Sequence, residues 1–231
     1  MDTIRTGVSF LGMEDKDCWN HAPDALLEKS IHLLARIPTI IATDYRFRKG
    51  MERIAPRADL GFAENFFHMC FGEVPDAATL KCFDISMILY AEHSFNASTF
   101  TARTIASSLS EIYAAVTGAI GSLKGPLHGG ANEAVMHMLL EVGEPDNAEA
   151  WMRDALANKK KVMGFGHRVY KNGDSRVPTM HAAFVEMAKH KGEMKWVEIE
   201  KVLSTIMIDE KGIHPNLDYP AGPSYYLMGF D

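Results

Sequence analysis

Residues 164–176, reading GFGHRVYKNGDSR, set His167 in a glycine-supported bend and place Arg176 nine residues later. Residues 125–132, GPLHGGAN, set His128 in a second Gly/Pro turn. Such turns let the backbone bend tightly and approach a ligand closely, so each imidazole can be held at the edge of a site. Asp218, within the PNLDYP segment of residues 215–220, adds a carboxylate. Two imidazoles and a carboxylate suggest general acid–base chemistry.

Each residue also has a plainer reading. His128 can cap its turn or satisfy a buried polar contact. In catalysis, a position just ahead of a helix would disfavour imidazolium, and the neutral ring could donate a hydrogen bond to an enolate oxygen. His167 shares the ambiguity, but Arg176 lies on the same loop, and a planar guanidinium pairs with a carboxylate in bidentate fashion. Together they suit a small keto acid. Asp218 is either a turn residue ahead of Pro220 or a base that removes a carbon-bound proton. His93, between two helices, reads as a C-terminal helix cap. The basic run Lys159, Lys160 and Lys161 is either a solvated helix end or, leading into the Gly164 bend, a seat for a phosphorylated ligand.

The commoner motifs fail. The Gly164–Phe165–Gly166 run misses the last glycine of a dinucleotide loop and follows no clear strand. Ser122 sits one place early for a nucleophile elbow. No HExxH and no complete phosphate-binding loop occurs. Metal, nicotinamide and serine-hydrolase chemistry are therefore disfavoured.

These residues must be positioned by helices, because the periodicity is helical almost throughout. Leu26, Leu27, Ile31, Leu34 and Ile37 recur at three- and four-residue steps, with Pro38 expected to kink or break the run. Asp76 can cap a helix carrying Leu80, Phe83, Met87 and Leu89. One long helix is expected from Ser98 or Thr99 through Ile120, its small residues suited to close packing, and the Gly125–Pro126 turn ends it. Further helices fit residues 134–139, 148–157, 178–190 and 196–211. The expected fold is all-α, with residues 1–129 and 130–231 as two lobes and the site between them.

At 231 residues the chain can bury a substantial core. A net charge of -6 gives no reason to expect nucleic acid. Cys18, Cys70 and Cys82 are odd in number and widely spaced, which suggests reduced thiols in a cytoplasmic compartment. No apolar run approaches the roughly 18–20 residues of a membrane span, so a soluble protein is expected.

In these motifs the chain resembles the citrate synthase family, and within it the 2-methylcitrate synthases. Residues 125–132 match the family's first histidine loop, 164–176 the second, 215–218 the aspartate segment, and 91–100 the segment with a further oxaloacetate-binding histidine. The resemblance implies a two-domain all-α fold, usually homodimeric. It also implies roles: Asp218 takes the α-proton of an acyl-CoA while His128 hydrogen-bonds the thioester oxygen. His167 protonates the oxaloacetate ketone, and His93 and Arg176 hold oxaloacetate. Lys161, Val162, Met163, Gly164 and Phe165 contact CoA, which is a substrate; no bound cofactor or metal is implied. Residues 219–223 (YPAGP) resemble methylcitrate synthases more than citrate synthases proper, which implies propionyl-CoA, with acetyl-CoA as the alternative. Family members begin before the segment matching Met1 and continue past Asp231, and the flanks supply further substrate arginines. The chain is therefore expected to be the middle of an enzyme, and an inactive CoA-binding fragment is the other reading.

Overall fold

The computed structural model describes residues 1–91, 93–167, 170 and 172–230. Its elements are helices. The first six are α1 (Asp2–Glu14), α2 (Pro23–Arg48), α3 (Phe62–Phe71), α4 (Ala77–Tyr90), α5 (Ala97–Ala106) and α6 (Ile112–Leu123). They are followed by α7 (Ala131–Val142), α8 (Pro145–Ala157), α9 (Val177–Lys191), α10 (Lys195–Lys211) and α11 (Asp218–Leu227). Among the described residues the only extended pairing is an isolated antiparallel bridge between Phe165 and Pro215. The fold is all-α, as the helical periodicity implied.

Two compact units divide the chain. One comprises Met1–Pro75 and His93–His128; the other comprises Asp76–Glu92 and Gly129–Asp231. Helix α4 lies within residues 1–129 along the chain yet packs with the later helices, against α9 and α11.

In the first unit, Val8, Leu33 and Tyr113 form a buried cluster with Ile4, Ile37, Val116 and Ile120 against it. Helices α5 and α6 pack closely because Gly118 has no side chain. A Cβ there would stand 2.1 Å from the Ile105 methyl. The single long helix expected from residue 98 is in fact these two helices. The Ser107 and Ser108 hydroxyls turn back onto the Thr104 and Ile105 carbonyls, and Leu109 adopts φ 62°. Glu111 then caps α6 by accepting from the Ala114 N–H at 2.8 Å.

Pro38 does not break α2, which runs on to Arg48. Proline removes one intrahelical bond, to the Leu34 carbonyl. Burial of Leu33 and Ala42 on either side holds the helix.

The second unit has the larger core. Leu139, Met152, Phe184, Ile199 and Leu203, all fully buried, come from four different helices. Asp76 caps α4 through the Thr79 N–H at 2.9 Å, as its position before the apolar run suggested. Burial pushes the Cys82 thiol up to about 11 and, in the first unit, the Cys70 thiol up to about 12. Neither is therefore an ionised nucleophile at neutral pH. Among the described residues no helix is long and apolar enough to cross a membrane.

Candidate active site

The second unit joins the loop of His167 to the segment leading into Asp218. Asn216 N–H donates to the Gly164 carbonyl at 2.9 Å, Gly166 N–H to the His214 carbonyl at 2.9 Å, and the Asn216 side-chain amide to the Gly166 carbonyl at 3.0 Å. Such close pairing demands glycine. Gly164 has φ 82°, and a Cβ there would stand 2.7 Å from both Tyr219 and Val135. The Phe165 ring packs on Tyr219 at 4.5 Å, and the Tyr219 hydroxyl donates to the Glu200 carbonyl at 2.9 Å. Two segments about fifty residues apart in sequence are thus hydrogen-bonded into one strip.

Asp218 opens α11 rather than forming a turn ahead of Pro220. Pro220 falls in the first helical turn, where its missing N–H would have had no intrahelical partner. The Asn216 side chain accepts from the Asp218 N–H at 3.1 Å, and the Tyr90 hydroxyl donates to Asp218 Oδ1 at 2.6 Å.

Arg176 precedes α9. Its Nε and Nη2 donate to the two oxygens of Asp174 at 2.9 and 2.7 Å, and its Nη1 reaches the Leu89 carbonyl at 3.4 Å. Burial alone would raise the Asp174 carboxyl. Bonds from the Arg176 side chain and main chain and from the Leu217 N–H outweigh it and hold the group below its usual value. The Nε–Nη2 edge of the guanidinium is thus taken by Asp174.

The His167 ring stacks on Tyr170 with centroids 4.5 Å apart. Its Nδ1 accepts from the Tyr170 N–H at 3.3 Å, so the neutral ring carries its proton on Nε2. Ahead of this loop Lys160 is occupied by Glu141, at 2.7 and 2.9 Å, with its ammonium 4.9 Å above the Trp151 ring. Lys161 is exposed and, among the described residues, carries no ion pair; Val162 is buried and Met163 half-buried. Of the lysine run, only part can therefore face a ligand. Arg168, Val169 and Lys171 of the histidine loop, and Glu92 ahead of His93, lie outside the described residues.

His93 and His128 belong to the first unit, and both are half-buried. His128 Nε2 lies 2.7 Å from Ser98 Oγ, which is also 3.0 Å from the Ala119 carbonyl. A hydroxyl has one proton. When it goes to Ala119, His128 must donate from Nε2; when it turns to His128, the ring proton moves to Nδ1. His93 follows the end of α4, and Asn96 then caps α5 by accepting from the Thr99 N–H at 3.0 Å.

His167, Arg176, Asp218 and the 161–165 segment thus share one unit, while His93 and His128 share the other. Sequence reasoning missed Tyr90, Asp174, Asn216 and, as a histidine partner, Ser98. Only Asp174 carried a local signal, an acid two residues before Arg176.

A family model described as citrate synthase, C-terminal domain, matches residues 1–231. The chain is 56% identical over 231 residues to the 2-methylcitrate synthase of Mycobacterium tuberculosis H37Rv, covering 100% of this chain and 58% of that protein. It is 54% identical over 230 residues to the citrate synthase of Mycolicibacterium smegmatis, covering 100% and 61%. Among solved structures, citrate synthase from Thermotoga maritima matches with TM-score 0.85 and 37% identity over 100% of this chain and 60% of that one. A ternary complex of carboxymethyl coenzyme A and oxaloacetate with citrate synthase from Thermoplasma acidophilum matches with TM-score 0.90 and 32% identity, over 99% and 61%. The chain therefore spans about three fifths of the length of these relatives.

Proposed function

This chain belongs to the citrate synthase family, and on that premise we propose that it carries the catalytic core of an acyl-CoA:oxaloacetate condensing enzyme. The preferred acyl donor is propionyl-CoA, giving 2-methylcitrate and CoA. The observation that carries the reading is the hydrogen-bonded strip in the second unit. A carboxylate at the start of α11, an imidazole whose Nδ1 accepts from the Tyr170 N–H and a buttressed guanidinium come from segments hydrogen-bonded to one another.

The chemistry divides among these groups. The Asp218 carboxylate removes the α-proton of the thioester. His128 donates from Nδ1 to the thioester oxygen as the enol forms, which requires the Ser98 proton to turn from Ala119 to Nε2. The enol carbon attacks the oxaloacetate ketone, and His167 delivers its Nε2 proton to the oxygen of the new alcohol. Arg176 receives an oxaloacetate carboxylate, with His93 as a second contact. Lys161, Val162, Met163, Gly164 and Phe165 receive CoA, with Lys161 as the cation for its phosphates. Water then hydrolyses the acyl-CoA adduct and releases the thiol. Neither a metal nor a bound cofactor enters these steps.

Acetyl-CoA is the second reading, favoured by the 54% identity to the Mycolicibacterium smegmatis citrate synthase. One methylene supports only about 1–3 kcal/mol of discrimination, so use of both donors is expected. A homodimer belongs to the same reading. Pairing would bury the stripe of Leu27, Ile31 and Leu34 on α2, each more than half exposed, and sedimentation velocity checks it. The three free cysteines suit the reducing cytoplasm.

Oxaloacetate-dependent thiol release tests the proposal, on this chain and on a version extended at both ends, with each acyl-CoA. The expected result is faster release from propionyl-CoA, lowered about 10²- to 10⁴-fold by Asp218→Asn. Release by the extended version alone would mark this chain as a CoA-binding core that needs its flanks. No release by either version with either donor would overturn the proposal.

A further inference from the structure

We propose that Tyr90 is a positioning residue for the Asp218 base, its phenol fixing the rotation of the carboxylate and favouring its ionised form. The inference rests on the reading of Asp218 as the proton-abstracting group. Tyr90 is the last residue of α4 and Asp218 the first of α11, 128 positions apart in the chain. At 2.6 Å the contact is in the range of a charge-assisted O–H···O⁻ bond.

The polarity of that bond is fixed. Burial first, and then the neighbouring Asp218 charge, raise the Tyr90 phenol well above its usual value of 10, so it remains a donor at any working pH. An ionised carboxylate can only accept. A phenol suits the task because two χ angles hold its hydroxyl at the end of a rigid ring, and α4 is itself packed on α9 and α11.

The same helix end serves a second site group. The Leu89 carbonyl, one residue earlier, lies in the last turn of α4, and Arg176 Nη1 reaches it at 3.4 Å. One turn of α4 therefore sets both the base and the carboxylate clamp. Both contacts lie within the second unit, to which α4 belongs although residues before and after it fall in the first.

Among the described residues, other ionisable groups facing the pair include Arg176 of the α9 terminus, itself paired with Asp174, and Tyr225 of α11, whose hydroxyl donates to Ser86 at 3.1 Å. On the adjoining helices Glu200 of α10 lies 3.1 Å from His181 of α9, and Glu133 and His137 of α7 lie 3.6 Å apart.

The test is a titration of aspartate carboxyl carbons by ¹³C NMR in the intact chain and in Tyr90→Phe, with Asp218→Asn assigning the Asp218 signal. Loss of the donor disfavours the carboxylate, so the Asp218 midpoint is expected to rise by about half to one pH unit. A carboxylate base works above its midpoint, so the acid limb of kcat in the extended protein should move to higher pH by the same amount, with little change in KM for oxaloacetate. A lower melting temperature with an unmoved midpoint would make Tyr90 merely structural and overturn the proposal. Should Tyr90→Phe fail to fold, 3-fluorotyrosine at position 90 keeps the ring and strengthens the donor. The midpoint must then fall; a constant value overturns the proposal. Hydrogen–deuterium exchange at the acyl α-carbon in Asp218→Asn tests the base reading separately: persisting exchange would remove Asp218 as base while the midpoint shift still reported the bond.

Discussion

The two histidine loops are held by different means. The His167 loop is tied to the Asp218 segment by two main-chain bonds and the Asn216 amide, over a glycine whose conformation and surroundings exclude a side chain. His128 is held through the Ser98 hydroxyl, which it shares with the Ala119 carbonyl. The first arrangement resists change because each bond supports the next, and backbone amides cannot be re-aimed without moving both loops. The second is adjustable by rotating one hydroxyl. In the proposed reaction, a proton donor to the ketone oxygen gains from a fixed tautomer, whereas a group that first donates to an enolate gains from a tautomer that can be switched.

Glycine replacement should break this contrast most clearly. Gly164→Ala forces a Cβ at φ 82° against Tyr219 and Val135, and should cost about 2–5 kcal/mol in the urea unfolding free energy. Asp174→Asn comes next, because it weakens the charge-assisted bonds that buttress Arg176; a loss of about 2 kcal/mol at pH 7 is expected. The folded Asp174 carboxyl lies below its unfolded value. Its stabilisation is therefore complete above the unfolded carboxylate range near pH 4 and disappears as pH falls through the folded value. Urea midpoints of the two proteins should accordingly converge as pH falls below about 4.

Ser98→Ala probes the adjustable loop. It should lower acyl-CoA α-proton exchange about tenfold by removing the His128 partner, while stability changes by less than about 1 kcal/mol. Equal losses of exchange and stability would show that Ser98 merely packs. The smallest effect belongs to Gly125→Ala in the His128 loop. Its Cβ would stand 3.3 Å from the Ser122 carbonyl without a left-handed backbone, so a shift within about 1 kcal/mol is expected. A cost rivalling that of Gly164→Ala would erase the contrast.

The helices were legible where periodicity and caps agreed. Asp76 capped α4, and α8, α9 and α10 began within three residues of their expected starts. The break between α5 and α6 was not legible, because Ser107, Ser108 and Leu109 fit a helix by type. Only their backward hydroxyl bonds and the Leu109 conformation end it. Helix α11 was hidden by its two prolines, so Asp218 read as a turn residue or a base rather than as the start of a helix. Of the site, the imidazoles, the guanidinium and the carboxylate stood out by their turns. Their partners Tyr90, Ser98 and Asn216 did not, since a lone tyrosine or serine on a helix looks like any other.

What the sequence determined by itself is therefore local: an all-helical chain, glycine bends around His128 and His167, and the residue types of an acid–base site. These depend on interactions within a few positions, where spacing is itself the physics. The tertiary structure alone decided that α4 packs with the later helices, bringing Tyr90 to Asp218 and Leu89 to Arg176, and that Asp174 takes one edge of the guanidinium. The physical reason is that contacts across 87 and 128 positions arise from which helix faces bury one another. No short window of residues encodes that choice.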